Sequence, residues 1–184
     1  DTARLFTMSN VPPEHTFEWS DEGVEGAFRF MKRLWKVVHA HVEGGAAQRP
    51  DPGTLDAPQR ALRRQVHQAL TKVGDDIGRR RTFNTAIAAV MELLNALSRF
   101  ADGSPSGRAV MQEALELAVL MLSPVVPHAA QAMWRALGHS SLVVDERWPE
   151  VDAAALVQDT VEIVVQVNGR LRARIAVAAG ADEA

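Results

Sequence analysis

Apolar residues recur at helical spacing through most of the chain, and this pattern limits the fold more than any other feature of the sequence. The longest row follows Ser20, a residue type that caps helix N-termini, and two acids that favour the first turn of a helix. The row comprises Val24, Ala27, Phe28, Met31, Leu34, Trp35, Val38 and Val42. Further helices are predicted to start near Pro58, Thr82, Pro105 and Pro127. Five helices with mostly short loops predict a mainly α fold, a helical bundle over residues 20–150.

Two segments indicate how this bundle is organised. The helix that starts at Pro105 contains an unbroken apolar run at residues 117–122, so we expect it to be the most buried helix. The opening segment could end a helix that begins upstream, and Pro12-Pro13 stops it. We interpret residues 1–19 as a linker from a preceding catalytic core.

Beyond residue 159 the spacing of apolar residues changes to two, which is typical of β-strands. The alternating positions are Val161, Ile163, Val165 and Val167, and then Leu171, Ala173, Ile175 and Val177. The Asn168-Gly169 pair between them predicts a β-hairpin. Because a lone hairpin is marginally stable, we interpret residues 151–184 as the start of a truncated α+β C-terminal domain.

The register of this hairpin can be predicted from its two faces. A two-residue turn would pair Val165 with Arg172 and mix apolar and polar residues on one face. A three-residue loop over residues 167–169 instead pairs Val165 with Leu171 and puts Gly169 in a left-handed G1 bulge. We therefore predict the three-residue loop. The polar face would then carry Arg170, Arg172 and Arg174.

The composition excludes several classes of protein. The chain has no cysteine, which excludes a disulfide scaffold, a zinc ribbon and a cysteine nucleophile. No apolar run reaches the roughly 18 residues that span a bilayer. The first residues have neither an initiator Met nor the character of a signal peptide. We expect a soluble, cytoplasmic chain that starts within a longer protein and has no membrane partner.

No pattern of an active site is present in the sequence. It lacks the glycine-rich loops that cradle phosphates, and no pair of histidines has the spacing of metal ligands. The serines lack the sequence context of a nucleophile. We predict no catalytic residue, no metal site and no cofactor in this chain, which would bind a partner instead of catalysing a reaction.

The distribution of charge indicates what that partner is. The net charge is −3, but residues 20–99 hold 13 Lys and Arg against 9 acids, and residues 100–159 hold 3 against 8. A polyanion should therefore meet the first half of the chain. One basic group lies on the first long helix at spacings of three and four, and it comprises Arg29, Lys32, Arg33 and Lys36. Helical spacing predicts a single cationic stripe, opposite Phe28, Met31 and Trp35.

Two further basic groups lie later in the chain. The second comprises Arg60, Arg63, Arg64 and Lys72, and the third comprises Arg79, Arg80 and Arg81 at a turn. Adjacent arginines repel one another, which a phosphate backbone would relieve. Ordinary solvated faces, and pairing of the third group with Asp75 and Asp76, are the alternatives. The chain has no Tyr and we expect few of its aromatic residues to be exposed, which argues against stacking of single-stranded bases and favours structured RNA bound through its shape and phosphates.

Several long segments resemble bacterial leucyl-tRNA synthetases. They are Phe17 to Ala27, Arg29 to Trp35, Phe83 to Asn95, Leu122 to His128 with Trp134, and Val164 to Arg172. The resemblance covers essentially the whole chain. It implies a class Ia anticodon-binding helical bundle followed by the start of the C-terminal domain. The complete family enzymes use ATP and Mg to attach leucine to tRNA, at two signature motifs that this chain does not contain.

The resemblance also implies a role and a set of contacts. In the family the helical domain lies along the inner side of the tRNA, so this chain would bind and position leucine-accepting tRNA, as part of a monomer. Lys32 and Arg33 match basic positions of the family pattern. The expected tRNA-binding residues are Arg29, Lys32, Arg33, Lys36, Arg79, Arg80, Arg81, Arg170 and Arg172. The run Arg79 to Arg81 is more basic than the family pattern, and Gln131 to Met133 lacks the acids often found before Trp134.

Two alternatives remain open from the sequence. The bundle could belong to an isoleucyl-, valyl- or methionyl-tRNA synthetase, although the run from Phe83 to Asn95 favours the leucyl enzyme. The chain could also be a helical protein-interaction module. Such a module would have a large exposed apolar patch and would bind its partner with little dependence on salt.

Overall fold

The fold consists of a helical bundle followed by a two-stranded hairpin, and the computed structural model describes residues 1–12, 15–157, 160–167 and 170–178. Within these ranges the α-helices are α1 (Thr2–Asn10), α2 (Asp21–Glu43), α3 (Ala57–Asp75), α4 (Phe83–Arg99), α5 (Pro105–Leu122), α6 (Pro127–Ala136) and α7 (Ala153–Leu156). The strands are β1 (Thr160–Val167) and β2 (Arg170–Ala178). The predicted mainly α bundle and hairpin are confirmed.

The helices begin where the sequence provides caps. The Ser20 hydroxyl accepts a hydrogen bond from the Gly23 amide at 3.2 Å, and the Ser104 hydroxyl accepts one from Gly107 at 3.0 Å. At α3 the side chains of Asp56 and Gln59 each accept from the other's backbone amide, which forms a capping box. These bonds satisfy amides that have no partner inside the helix, so they fix the start of each helix.

The core lies between α2, α3, α4, α5 and α6, and α5 is its centre. Helix α5 buries side chains on nearly all of its faces, including Leu115, Val119 and Met121. It packs against α3, α4 and α6. The expectation that this helix is the most buried is confirmed, because a helix that is apolar all round must be covered on every side.

Helix α1 packs against α2 and α4, and Leu5 and Phe6 are buried in the same core. The Phe6 ring meets Trp19 edge-to-face at a centroid distance of 5.4 Å. The Arg4 guanidinium donates to the carbonyl oxygens of Pro124 and Val125, at the start of α6. The first ten residues therefore pack as part of the bundle core, and the predicted domain boundary at residue 19 stays a prediction.

The hairpin register differs from the predicted one. Val165 pairs with Ala173, not with Leu171, and Val167 pairs with Arg170. The register shifts between Val165 and Gln166, so Arg172 is an extra residue in β2, as in a β-bulge. The prediction of a three-residue loop is wrong, since Val167 pairs with Arg170. The apolar faces of the two strands are matched by the bulge at Arg172 and not by a longer loop. The predicted left-handed bulge at Gly169 lies outside the described residues.

Candidate nucleic-acid interface

The four basic residues of α2 share the exposed side of the helix. Its buried line runs through Ala27, Leu34 and Val38 and faces the core. Arg33 lies on one side of this line, where its guanidinium donates to the Asn95 side-chain oxygen of α4 at 2.8 Å. Lys32 lies on the other side, where its ammonium nitrogen is 5.4 Å from the centroid of the Phe28 ring. At about 100° per residue the four cations fall within an arc of about 100°, so they form one stripe, with Arg33 and Lys32 at its two edges.

The flank of α2 that carries Arg33 borders an open groove. Helices α1, α2 and α4 enclose this groove, which has a volume of about 750 Å³. Its polar lining comprises Ser9, Asn10, Arg29, Arg33 and Asn95. Lys36 lies one turn beyond both Lys32 and Arg33, at spacings of four and three. We call this site the α2–α4 groove.

The charges of the α2–α4 groove are available to an anion. Arg29 forms an ion pair with Glu25 at 3.5 Å, but both side chains are more than 70% exposed. Such surface pairs contribute little and exchange readily. Arg33 contacts a neutral amide, so its charge is not compensated there. Two guanidinium groups beside amide and hydroxyl groups match the oxygens of a phosphate backbone.

Glycine opens the wall of the same groove. Gly23 and Gly26 line it on α2. A Cβ atom at Gly23 would lie 2.3 Å from the Phe6 ring, so this glycine permits the close contact of α1 with α2. A Cβ atom at Gly26 would meet nothing nearer than the Arg29 guanidinium at 3.9 Å. The two glycines therefore have different roles: one shapes the packing, and the other only widens the groove.

The opposite flank of α2 does not face the core, so the prediction that Phe28 and Trp35 belong to the buried face is wrong. Phe28 is 50% exposed and Trp35 is 40% exposed, whereas the buried aromatic residue is Phe30. The Trp35 ring lies 4.9 Å from the His39 ring. Phe28 and Trp35 fit the apolar face by residue type, but not by their position on the helix. The two residues lie about one third of a turn away from the buried line.

The arginines at residues 79–81 form ion pairs with nearby acids. Arg79 donates two hydrogen bonds to Asp75, at 2.5 and 2.8 Å, and Arg80 donates one to Asp76 at 3.1 Å. These pairs confirm the alternative of pairing with Asp75 and Asp76. The two acids thus relieve the repulsion among the arginines, and no phosphate is needed for this. Arg81 is exposed, has a left-handed backbone at φ 57°, and forms no ion pair among the described residues.

Asp76 organises this turn from a buried position. Its carboxylate accepts hydrogen bonds from Lys72 at 2.8 Å and Thr85 at 2.7 Å, in addition to Arg80. Burial alone would raise the pKa of Asp76, but hydrogen bonds, chiefly from Lys72 and Thr85, outweigh it and hold the pKa below its usual range. Asp76 therefore stays ionised at neutral pH and fixes the π-helical turn Asp76–Arg80 to α4. No sequence signal indicates that this carboxylate is buried.

The second basic group is largely structural. Arg63 is buried, and it donates to Glu113 at 2.7 and 3.0 Å and to Asp152 at 2.7 Å. Arg64 donates to the carbonyl oxygen of Val157 at 3.2 Å. These bonds connect α3 to α5 and to the segment that leads to the hairpin. The charge of Arg63 is thus used inside the protein.

The hairpin arginines are not aligned as predicted. Arg172 is exposed and is the extra residue of the bulge. An inserted residue interrupts the alternation of period two, so the register no longer gives Arg170, Arg172 and Arg174 one common face. As RNA contacts, Arg170 and Arg172 stay predictions.

Sequence reasoning missed Asn95 and Asn10, which border the α2–α4 groove. Neither amide has a distinctive sequence signal, and the long run that ends at Asn95 indicates only a family resemblance. The described residues contain no group of three or more side chains that could hold a metal ion. Within the same part of the chain, no helix is long and apolar enough to cross a membrane.

Comparison with known proteins gives a consistent result. Residues 59–184 match the family model described as the anticodon-binding domain of tRNA ligase. The chain is 65% identical over its whole length to a leucine–tRNA ligase of Thioalkalivibrio sulfidiphilus and 58% identical to one of Chromohalobacter salexigens. It spans 22% of the length of each of these curated relatives.

A solved structure matches the fold over nearly the whole chain. It is a ternary complex of the Agrobacterium radiobacter K84 agnB2 LeuRS with tRNA and LeuAMS. The TM-score is 0.84 at 25% sequence identity, and the match covers 99% of this chain and 24% of the other. A protein-interaction module is not favoured by these matches. The chain belongs to the family of anticodon-binding domains of tRNA ligases, and the relatives it matches in that family are leucine–tRNA ligases.

Proposed function

We propose that this chain binds leucine-accepting tRNA and positions it for a catalytic site that lies outside residues 1–184. The observation that carries the proposal is the α2–α4 groove, where the charges of Arg29 and Arg33 are not used inside the core. In the proposed complete enzyme, ATP and Mg serve the attachment of leucine in a separate catalytic domain. The proposal also includes a cytoplasmic, monomeric enzyme, as the resemblance to the family implies.

The proposed mechanism is positional. Arg29, Arg33 and Lys36 would contact successive phosphates along one flank of α2. Such contacts fix the register and orientation of an RNA without reading its bases. Lys32 would contribute from the other edge of the same stripe. The tRNA would thereby be held so that its acceptor end enters the catalytic site.

The remaining predicted contacts are weaker parts of the proposal. Arg79 is already paired with Asp75, although the pair is exposed and could exchange with a phosphate. Arg80 is paired with buried Asp76, so we expect it to contribute less than Arg81. Arg170 and Arg172 would meet RNA only if the C-terminal domain reaches it.

The test uses the complete natural protein that contains this chain. We expect Arg29→Gln together with Arg33→Gln to raise the KM for tRNA about tenfold or more, since removing each charged hydrogen bond costs on the order of 1 kcal/mol. Leucine-dependent exchange of pyrophosphate into ATP, which needs no tRNA, should not change. An unchanged KM for tRNA would contradict the proposal.

A matched control removes the same charge elsewhere. Arg135 and Arg147 are both exposed and lie outside the groove. The double variant Arg135→Gln with Arg147→Gln should leave the KM for tRNA within about twofold, because distant surface charges act weakly at physiological salt. An equal loss in both double variants would indicate a general charge effect instead of a site.

A further inference from the structure

Helix α2 carries an exposed row of aromatic and cationic side chains that the phosphate contacts do not explain. Its members are Phe28, Lys32, Trp35 and His39, at spacings of four, three and four. They form one continuous line on the helix surface, which we call the aromatic ridge. The ammonium of Lys32 lies over the Phe28 ring, and the Trp35 ring lies beside the His39 ring. The two largest apolar side chains of the ridge therefore each contact a neighbouring side chain and remain 50% and 40% exposed.

The charge around the aromatic ridge favours a polyanion as its partner. Residues 28–39 contain Arg29, Lys32, Arg33 and Lys36 and no acid. The acids of α2 that flank this run are Glu25, which pairs with Arg29, and Glu43, one turn beyond His39. Helix α6 packs against α2 and contains no acid. A surface with exposed rings, several cations and no acid between its two ends matches a partner that has both negative charge and flat aromatic faces.

Nucleic acid has both properties. An apolar protein surface would cover the rings but would remove water from Lys32 without supplying an opposite charge, which is costly. An unpaired base can stack on an indole ring while its phosphate meets a nearby cation. The exposed positions of Phe28 and Trp35 also remove the sequence-based argument against base stacking, because that argument assumed that both rings lie in the core.

We infer that the aromatic ridge stacks on an unpaired base of the bound tRNA, with Trp35 as the main platform and Lys32 beside the adjoining phosphate. This inference rests on the proposed function. It assigns α2 two kinds of contact: phosphate contacts from the α2–α4 groove on one flank, and a base contact on the other. Stacking tolerates any base, so the contact adds affinity and fixes orientation without sequence specificity.

The experiment measures tRNA affinity of the complete natural protein across a series of salt concentrations. Trp35→Ala should weaken binding about tenfold, as alanine replacement of stacking residues does. The slope of log affinity against log salt should stay unchanged, because no charge is removed. Trp35→Phe should recover most of the affinity, since it keeps an aromatic face. By contrast, the Arg29→Gln and Arg33→Gln variant should make the slope shallower.

Trp148 provides a matched control. It is 42% exposed, close to the exposure of Trp35, and its indole nitrogen lies near Gly74 of α3, outside the ridge. Trp148→Ala should leave tRNA affinity within about twofold, as for surface substitutions away from a contact. A loss as large as that of Trp35→Ala would overturn the inference, because any exposed indole would then have the same effect.

Other results would overturn the inference in distinguishable ways. If the wild-type protein binds tRNA with a steep salt dependence and Trp35→Ala binds equally well, the inference fails and the proposed function stands. If Trp35→Ala instead lowers only the melting temperature of the free protein, another part of the longer protein covers the ridge and the inference fails. If the wild type shows no salt-dependent binding of tRNA, the proposed function fails and the inference fails with it.

Discussion

The three side-chain hydrogen bonds of Arg63 all go to carboxylates of this chain. Its guanidinium contacts Glu113 of α5 twice and Asp152 once. The backbone amide of Asp152 donates to the His67 ring at 3.2 Å, which adds a second link between α3 and the same segment. Removing the cation would leave two carboxylates near one another without the positive charge between them. The residue therefore stabilises the bundle and attaches the chain that leads to the hairpin.

We predict that Arg63→Met lowers the free energy of unfolding by about 3 kcal/mol, the cost of removing one partner of a buried ion pair. Urea unfolding measures this change. The control is Arg64→Met, whose exposed guanidinium makes one hydrogen bond to a backbone carbonyl, and which should cost about 0.5 kcal/mol or less. Equal effects of the two substitutions would contradict the structural role of Arg63.

The loss of folding stability at acid pH should depend on Glu113. Burial raises the pKa of Glu113, but contacts with His67 and Arg63 lower it by more, so its pKa lies below the usual range. A carboxyl with a lowered pKa stabilises the fold above its unfolded pKa, about 4.3, and this contribution is lost as pH falls through the lower folded value. Stability should therefore fall as pH drops below about 4.5.

Glu113→Gln provides the measurement for this prediction. The variant should be less stable at pH 7, and its urea midpoint should change less between about pH 6 and pH 3 than that of the wild type. Parallel pH profiles for the two proteins would show that Glu113 does not carry the acid dependence.

At the scale of elements, α2 shows what residue spacing predicts and what it leaves open. Ser20 and the two acids after it predicted the start of the helix, because capping is a local interaction that the sequence contains directly. Which side of the helix is buried depends on the neighbouring helices. Phe28 and Trp35 fit the apolar row by residue type, yet α1, α4 and α6 cover the line through Leu34 and leave both rings exposed.

The hairpin and the third basic group also contain features that residue spacing does not predict. Alternation predicted both strands, but the extra residue at Arg172 has no signal in residue type. Asp75 and Asp76 precede Arg79 and Arg80 by four residues, so their pairing could be expected from helical spacing. The burial of Asp76 could not, since it depends on Thr85 and the packing of α4.

Packing of α1 on α2 gives a prediction for two glycines in one helix. Alanine normally stabilises a helix interior by about 0.5–1 kcal/mol relative to glycine. Gly26→Ala should show this gain, because the new methyl group would make only an ordinary contact with the Arg29 guanidinium at 3.9 Å. Gly23→Ala should instead destabilise the fold by about 1–3 kcal/mol, because its methyl group would overlap the Phe6 ring. Thermal unfolding of the two variants provides the comparison, and a gain in both would contradict the packing of α1.

At the scale of the whole molecule, charge and packing are divided between different parts of the chain. Charged groups inside the bundle pair with opposite charges. Arg63 pairs with Glu113 and Asp152, and Asp76 pairs with Lys72. On α2, by contrast, Lys32, Arg33 and Lys36 are exposed on the outside of the bundle and form no ion pair among the described residues. The sequence predicted the fold and the basic character of its first half. It did not predict the groove, because the groove depends on how α4 packs against α1 and α2, from which it is distant in sequence.

If the α2–α4 groove binds tRNA through its phosphates, the affinity must fall as salt increases. The measurement is the affinity of the complete natural protein for leucine tRNA as salt increases, for the wild type and for Arg29→Gln with Arg33→Gln. We predict a linear fall of log affinity with log salt. The slope should be shallower by about two in the double variant, because each arginine neutralises about one phosphate. The same slope in both proteins would contradict the claim.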